Sequence, residues 1–210
     1  MALVFNGSAN TITGLAVGGL PDGIVDTDML ANLAVSTGKI ANSAVTSAKS
    51  TGLGISSAQQ FRLAASQAGT QTGGSVLTNW EESDTDYQGI GSVWSQSSGI
   101  FSTTTTGIYL CNWNFTAKGI DVQDAFDPNI EISTDSGSNY NRRSRSWTTG
   151  DGTSHYQCIN NHFIFDVANA STFRLRYAES AGNSVADGTT IAGSTSESFT
   201  CISFIRLGDT

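Results

Sequence analysis

The chain has 210 residues, with 18 acidic against 10 basic side chains and a net charge of −8. This length suits one domain with an appendage or two small domains. The acidic balance argues against nucleic acid as a partner, because phosphate binding needs a basic face. No run of about 20 apolar residues occurs, so we expect no membrane span.

The first stretch, residues 1–14, pairs a short apolar run with Asn6-Gly7, a dipeptide that favours a tight hairpin turn. It has neither the basic lead nor the longer apolar run of a secretory signal, so we expect the chain to be made in a cytoplasm. We interpret residues 1–14 as a segment that attaches the chain to a larger particle.

Between residues 15 and 55 an aliphatic residue recurs at every fifth position, with one lapse at Ser50. The series consists of Leu15, Leu20, Val25, Leu30, Val35, Ile40, Val45 and Ile55. A period of five fits neither an α-helix nor a flat strand, and short repeats usually need neighbouring units to complete them. The pattern favours a fibrous shaft in which several chains share one apolar axis. The alternative is a linker with chance spacing.

Residues 56–75 contain Ser56 and Ser57 as candidate helix caps and Gly69 as a candidate terminator. Good helix formers lie between them, and their small and apolar side chains would share one helix face. The stretch therefore predicts a neck, formed by a short helix and a polar hinge.

The remaining residues, 76–210, hold 17 of the 19 aromatic side chains, which is enough apolar area for a core. Apolar and polar residues alternate in short segments, most clearly over 109–115 and 173–177, and such alternation is typical of strands with one buried face. Turn-forming sequences such as Ser98-Gly99 separate these segments. Many short strands with almost no proline predict an all-β protein, and specifically a jelly-roll β-sandwich.

The last predicted strand is apolar on both of its faces. One face carries Phe199, Cys201 and Ile205, and the other carries Ile202 and Phe204. Such a strand is either enclosed within the fold or covered by another subunit.

Two motifs in this region resemble a known family. Ser98-Gly-Ile-Phe-Ser-Thr-Thr-Thr-Thr-Gly-Ile-Tyr-Leu110 resembles the "G-x-F … G-x-Y" segment of complement-q and tumour-necrosis-factor-like jelly rolls, and residues 197–205 resemble the closing aromatic strand of that family. The resemblance covers about residues 90–207. It implies a ten-stranded jelly roll that forms homotrimers, usually at the end of a fibrous stalk.

The stalk would not be collagen, because no Gly-X-Y repeat is present. Instead, residues 1–55 are similar to bacteriophage fibre proteins in their Gly-Leu-Pro-Asp-Gly opening and their Ala-Val-Thr-x-x-Lys cadence. This second resemblance implies a virion protein.

The sequence offers little for catalysis. His155 and His162 have no nucleophile elbow beside them, and we interpret the acids of residues 81–86 as a solvated loop rather than a glycosidase pair. Asp121, Asp124 and Asp127 carry oxygens suited to calcium, but their spacing does not match an EF-hand and favours solvated loop acids.

The three cysteines, Cys111, Cys158 and Cys201, are odd in number and widely spaced. They predict buried free thiols rather than a disulfide framework or a metal site.

A candidate receptor contact is formed by Tyr140, Arg142, Arg143, Arg145 and Trp147, because it places three arginines between two aromatic residues. Arginine forks suit carboxylates and phosphates, and aromatic rings stack on sugars or cations. The alternative is that these arginines pair with acids of a neighbouring subunit.

Taken together, the patterns predict a homotrimeric virion fibre without enzymatic activity or cofactor. Its parts would be the attachment segment 1–14, the shaft 15–55, the neck 56–75 and the knob 76–210. Its partners would be its own copies, other virion proteins of the capsid or tail, and a host cell-surface glycan. A secreted, lectin-like carbohydrate-binding module is the alternative, and a glycan hydrolase is a third reading.

Overall fold

The computed structural model describes residues 54–68, 75–84, 87–118, 125–149, 155–179 and 190–210, and before them residues 4–6, 8, 11–13, 35, 40 and 44. The chain divides into two compact units, Met1–Thr51 and Gly52–Thr210. Within these described ranges the regular structure is β-strand, and none of it is a helix long and apolar enough to cross a membrane.

The first unit contains an antiparallel hairpin. Strand β1 (Val4–Asn6) pairs with β2 (Thr11–Thr13), which places Phe5 opposite Ile12 and confirms the predicted hairpin. Two members of the aliphatic series are described in this unit: Val35 is 52% exposed and Ile40 is 41% exposed. The shaft itself stays a prediction, because other members of the series lie outside the described residues, namely Leu15, Leu20, Val25, Leu30 and Val45.

The second unit is built from strands. They are β3 (Ala58–Leu63), β4 (Gln67–Ala68), β5 (Ser75–Val76), β6 (Trp80–Glu82), β7 (Trp94–Ser97), β8 (Ile100–Thr103), β9 (Gly107–Lys118), β10 (Ala125–Phe126), β11 (Pro128–Ser133), β12 (Asn141–Arg145), β13 (Thr148–Thr149), β14 (Tyr156–Val167), β15 (Arg174–Glu179), β16 (Thr190–Ile191) and β17 (Cys201–Gly208).

These strands form two main antiparallel sheets. The first sheet has the order β4-β16-β9-β17-β3-β6, with β14 also paired to β9. The second sheet has the order β12-β11-β15-β8-β7, with β5 also paired to β15. A separate short pair joins β10 to β13.

The core lies between the two sheets and is rich in aromatic rings. Alternation along β9 turns Tyr109 and Trp113 inward, where they are at most 2% exposed. The ring of Trp94, on the second sheet, stacks on Phe204 of the first sheet with a centroid distance of 4.0 Å. The Trp113 indole donates a hydrogen bond of 3.0 Å to Ser144, which also links the sheets. The predicted all-β sandwich is therefore confirmed.

The predicted helix within residues 56–75 is wrong. Residues 58–63 form β3, which pairs with β17 on one side and β6 on the other. The side chains of Phe61 and Leu63 are 3% and 0% exposed, because their spacing of two turns both toward the core. This burial outweighs the local helix propensity of the segment. The jelly roll thus includes residues 58–63, which the sequence predicts as part of the neck.

The interpretation of the acids of residues 81–86 as a solvated loop is wrong for Glu81 and Glu82, which lie on β6, but it holds for Asp84, whose side chain is 76% exposed. Glu81 and Asp84 both bind Arg62, whose side chain is only 2% exposed, and the Arg62 Nε donates to a Glu81 carboxylate oxygen at 2.8 Å. The hydrogen bond to Glu81 is the main cause that raises the pKa of Arg62, against the opposing effect of burial. These charges tie β3 to β6 and to the chain that follows it.

The cysteine prediction is confirmed in one respect and wrong in another. All three thiols are free, and Cys111 is fully buried, which raises its pKa well above the ordinary value. Cys158, however, is exposed, because alternation along β14 places it on the outer face of the first sheet.

Candidate functional site

The outer face of the second sheet concentrates arginine side chains from two strands. Glu131 on β11 lies in register with Arg142 of β12 on one side and with Arg176 of β15 on the other. In the adjacent outward rows, Arg145 lies beside Asn129 and Arg174 lies beside Ser133. We call this surface the arginine face, and its basic residues are Arg142, Arg143, Arg145, Arg174 and Arg176.

Arg143 enters the arginine face through a β-bulge. The pairing of β12 with β11 shifts register there, so that Arg143 is an extra residue between the paired Ser144 and Arg142. Its side chain is exposed. Bulges occur often at sheet edges and beside functional sites, where they change the direction of a side chain.

The charge of this face contrasts with the rest of the chain. It carries five of the seven arginines and three carboxylates, those of Asp127, Glu131 and Asp135. Since the whole chain has 10 basic and 18 acidic residues, the remainder has 5 basic against 15 acidic ones. The arginine face is thus a locally basic surface on an acidic protein, which is an arrangement that steers anionic partners.

Arg145 is held by an acid and an aromatic ring. Its Nε and one terminal nitrogen donate to the two carboxylate oxygens of Asp127, which is 0% exposed. This hydrogen bonding raises the pKa of Arg145. The guanidinium carbon also lies 3.9 Å from the ring centroid of Trp147, and Trp147 itself is 58% exposed. The arrangement fixes one face of an indole ring at the surface.

Arg176 repeats this arrangement on the neighbouring strand. Its Nε donates to a Glu131 carboxylate oxygen at 2.6 Å, and its guanidinium carbon lies 4.0 Å from the ring centroid of Tyr140. Burial raises the pKa of the Tyr140 hydroxyl, while the charges of Arg176 and Arg174 act in the opposite direction. Two acid–arginine–aromatic units therefore lie on one surface.

The sequence located part of this site and missed the rest. The predicted residues Arg142, Arg143 and Arg145 all lie on β12, and Tyr140 and Trp147 come just before and after that strand. Arg174 and Arg176 were missed as site residues. Their alternation with buried Leu175 and Tyr177 indicated that they point outward, but the sequence does not show that β15 lies in the same sheet as β12.

The outer face of the first sheet has a different character. One row of side chains, running across β14, β9, β17 and β3, is apolar: Ile164, Leu110, Ile205 and Ala58 lie in successive register. Ile90, which is bridged to Ala58, extends it. Ile164 is 62% exposed and Ile90 is 48% exposed. We call this surface the apolar row.

Polar rows lie beside the apolar row. His162, Asn112, Ser203 and Gln60 follow one another in register across the same four strands. A shallow hollow of about 290 Å³ lies over this region, and asparagines make up half of its lining residues. Among the residues that the structure describes, no group of three or more His, Cys, Asp or Glu side chains is placed to hold a metal ion.

The two-sided apolar strand predicted at the C-terminus is covered on one face only. On β17, Ile202 and Phe204 are 0% exposed and lie in the core, whereas Cys201 and Ile205 remain partly exposed on the outer face. Of the three aspartates considered for calcium, Asp121 and Asp124 lie outside the described residues, and Asp127 binds Arg145.

Comparison with known proteins supports the fold. No family model and no curated protein sequence matches this chain. Among solved structures, murine APRIL at pH 5.0 is similar with a TM-score of 0.53 and 12% identity, over 72% of this chain and 98% of that one. Eiger TNF from S. frugiperda is similar with a TM-score of 0.50 and 11% identity, over 73% of this chain and 93% of that one. At such identities the likeness concerns the fold alone, and the second unit of this chain is a jelly-roll β-sandwich of the tumour-necrosis-factor type.

Proposed function

We propose that this chain is a homotrimeric, non-catalytic fibre protein of a virion, whose jelly-roll knob adheres to a host surface. The observation that carries the proposal is the apolar row on the outer face of the first sheet. Exposed apolar residues that form a continuous row on one sheet face mark an interaction surface rather than scattered exposure.

We assign a second copy of the chain as the partner of the apolar row. In this row β17 contributes Ile205, while Ile202 and Phe204 on its other face lie in the core. The jelly-roll resemblance favours closure by three copies, and cyclic symmetry uses the same contacts in each subunit. The five-residue aliphatic series, if it forms a shaft, would extend the same association along the fibre.

The position of the arginine face supports an adhesive role. It lies on the second sheet, and the apolar row lies on the first sheet, so the two surfaces face away from each other across the core. Association through the apolar row would leave the arginine face outward. This argues against the alternative that these arginines pair with acids of a neighbouring subunit.

The oligomeric state of the full chain tests the proposal. We expect sedimentation velocity to give a trimer, and Ile164→Asp to reduce it to monomers, because each interface would bury an unpaired charge. Ser95→Asp is the matched control, since Ser95 is exposed on the second sheet. A wild-type chain that sediments as a monomer, or an Ile164→Asp chain that stays trimeric, would contradict the proposed assembly.

The virion assignment needs a separate experiment. We expect electron cryomicroscopy of purified particles to show threefold density, with residues 1–14 seated in the capsid or the tail. A trimer that is absent from particles would instead favour the secreted, lectin-like module. Head and tail attachment would be distinguished by where the density begins.

A further inference from the structure

The five arginines of the arginine face fall into groups with different tasks. Arg145 and Arg176 are already engaged within the chain, because each donates to a carboxylate and lies against an aromatic ring. Arg174 is different: one of its terminal nitrogens donates to the main-chain oxygens of Ser171 and Phe173, at 3.1 and 2.6 Å. These contacts hold the guanidinium without neutralising its charge.

Arg143, like Arg174, keeps a positive charge that none of the described acidic side chains neutralises. In the described part of the chain, neither arginine forms an ion pair with an acidic side chain. Arg143 projects from the bulge of an edge strand and is exposed. Two forks with uncompensated charge therefore flank the Arg142–Glu131–Arg176 row, in which Glu131 pairs with Arg176.

Trp147 adds a stacking surface. Arg145 lies over one face of its ring, and 58% exposure leaves the ring accessible to solvent. The other tryptophans, Trp80, Trp94 and Trp113, are at most 5% exposed. A fixed, exposed indole is a common platform for the apolar face of a sugar ring, because its stacking costs little conformational entropy.

We propose that the arginine face binds a polysaccharide that carries carboxylate groups, with Arg143 and Arg174 binding carboxylates and Trp147 stacking on a sugar ring. Arg145 and Arg176 are positioning residues that hold the two aromatic rings. This inference rests on the proposed adhesive function and specifies its ligand.

The charge pattern favours this ligand over a dense polyanion. Three carboxylates are interspersed among the five arginines, and the remainder of the chain has 15 acids against 5 bases. A polyphosphate or nucleic acid carries closely spaced charges, which the acidic remainder of the chain would repel. A polymer with one carboxylate per sugar ring matches a few separated arginine forks, and the forks suit planar carboxylates.

Titration of the full chain with hexameric oligogalacturonate tests the proposal, with neutral maltohexaose as the control ligand. We expect binding in calorimetry and a change in tryptophan emission, because Trp147 is the exposed member of the four tryptophans. Arg143→Ala and Arg174→Ala are each expected to weaken affinity about tenfold, which is the loss of one charge-assisted contact. Arg143→Lys and Arg174→Lys should bind more tightly than the alanine variants but more weakly than the wild type, since lysine keeps the charge and lacks the planar fork.

The positioning role of Arg145 has its own readout. Arg145→Lys should weaken binding and alter the emission of Trp147 in the free protein, whereas Arg143→Ala should leave that emission unchanged. Sedimentation velocity of every variant separates this proposal from the proposed assembly, because variants of the arginine face should remain trimeric.

Three results would overturn the proposal. They are equal binding of maltohexaose, unchanged affinity in the Arg143→Ala/Arg174→Ala double variant, and binding of polyphosphate in preference to oligogalacturonate. A trimer that fails to bind oligogalacturonate would reject the ligand and leave the assembly intact. A monomer that binds oligogalacturonate would reject the proposed assembly and support the ligand.

Discussion

The fully buried carboxylate of Asp127 accepts two hydrogen bonds from the guanidinium of Arg145, which itself remains about one-third exposed. This pairing joins the start of β11 to the end of β12, and it fixes the arginine that lies against Trp147. One ion pair thus serves both the second sheet and the arginine face.

Loss of the Asp127 charge should therefore destabilise the knob. We expect Asp127→Asn to lower the free energy of unfolding by about 2 kcal/mol, because it leaves a half-buried guanidinium without its anion. Urea denaturation measures the effect. Asp209→Asn is the control: the Asp209 carboxylate is 93% exposed and pairs with Arg206, so its loss should cost less than about 0.5 kcal/mol. Equal costs in the two variants would contradict the structural role of Asp127.

Glu179 should make the stability of the knob depend on pH. It is 1% exposed, and neither carboxylate oxygen has a hydrogen-bond partner among the described residues. Burial, followed by the charge of Asp127, raises the pKa of Glu179 from 4.5 to about 7. Between these values the folded chain keeps a proton that the unfolded chain releases. The stability that protonated Glu179 contributes is therefore fully present below about pH 4.5, and this contribution is lost as the pH rises through 7.

The size of this effect follows from linkage. The free energy of unfolding should fall by up to about 1.4 kcal/mol per pH unit across the window, and by about 3 kcal/mol in all. Denaturation curves at pH 5 and pH 8 measure it. Glu179→Gln should remove this component, whereas Glu197→Gln, at an exposed position, should retain it. A wild-type chain equally stable at both pH values would disprove the assignment.

Gly99 should be intolerant of any side chain. Ser98 and Gly99 form the turn between β7 and β8 with φ angles of +49° and +80°, which is the mirror-image turn geometry that hairpins prefer. A Cβ atom at Gly99 would lie 2.1 Å from the main-chain oxygen of Leu77. We expect Gly99→Ala to lower the free energy of unfolding by about 3 kcal/mol, because the clash with Leu77 and the backbone strain act together.

Gly54 provides the matched control for this prediction. It also has a positive φ, of +98°, but no atom lies within 4 Å of its Cβ position. Gly54→Ala should thus lower the free energy of unfolding only through the strain of a positive φ at alanine, by about 1 kcal/mol. If thermal unfolding shows equal losses for both variants, the contact with Leu77 is not the cause.

The shaft prediction can be tested in the full chain. Leu30→Asp, Val35→Asp or Ile40→Asp should prevent or weaken trimer formation, because each places charges at an apolar axis shared by several chains. Sedimentation velocity and thermal unfolding measure the result. Substitution of Ser36 by Asp, one position off the aliphatic series, is the control. A heat-stable trimer in all three aliphatic variants would favour the linker interpretation.

Local sequence pattern was a reliable guide where burial and local preference agree. The alternation over 109–115 predicted β9, and Ser98-Gly99 predicted the turn that precedes β8. Residues 58–63 are the counterexample, because their local composition favours a helix while their place between β17 and β6 requires a strand. The stabilisation comes from pairing partners that are distant in sequence, and a local pattern does not record them.

Three features could be predicted from the sequence: the all-β class, the division between a repetitive first part and an aromatic-rich second part, and the cluster of arginines from 142 to 145. These follow from periodicity and composition, which act over a few neighbouring residues. Three further features depend on the folded chain: Arg174 and Arg176 join that cluster, Asp127 and Glu131 neutralise two of its members, and the apolar row lies on the opposite sheet. Those relationships depend on sheet order and register, because hydrogen bonding between strands brings together side chains that the chain itself keeps far apart.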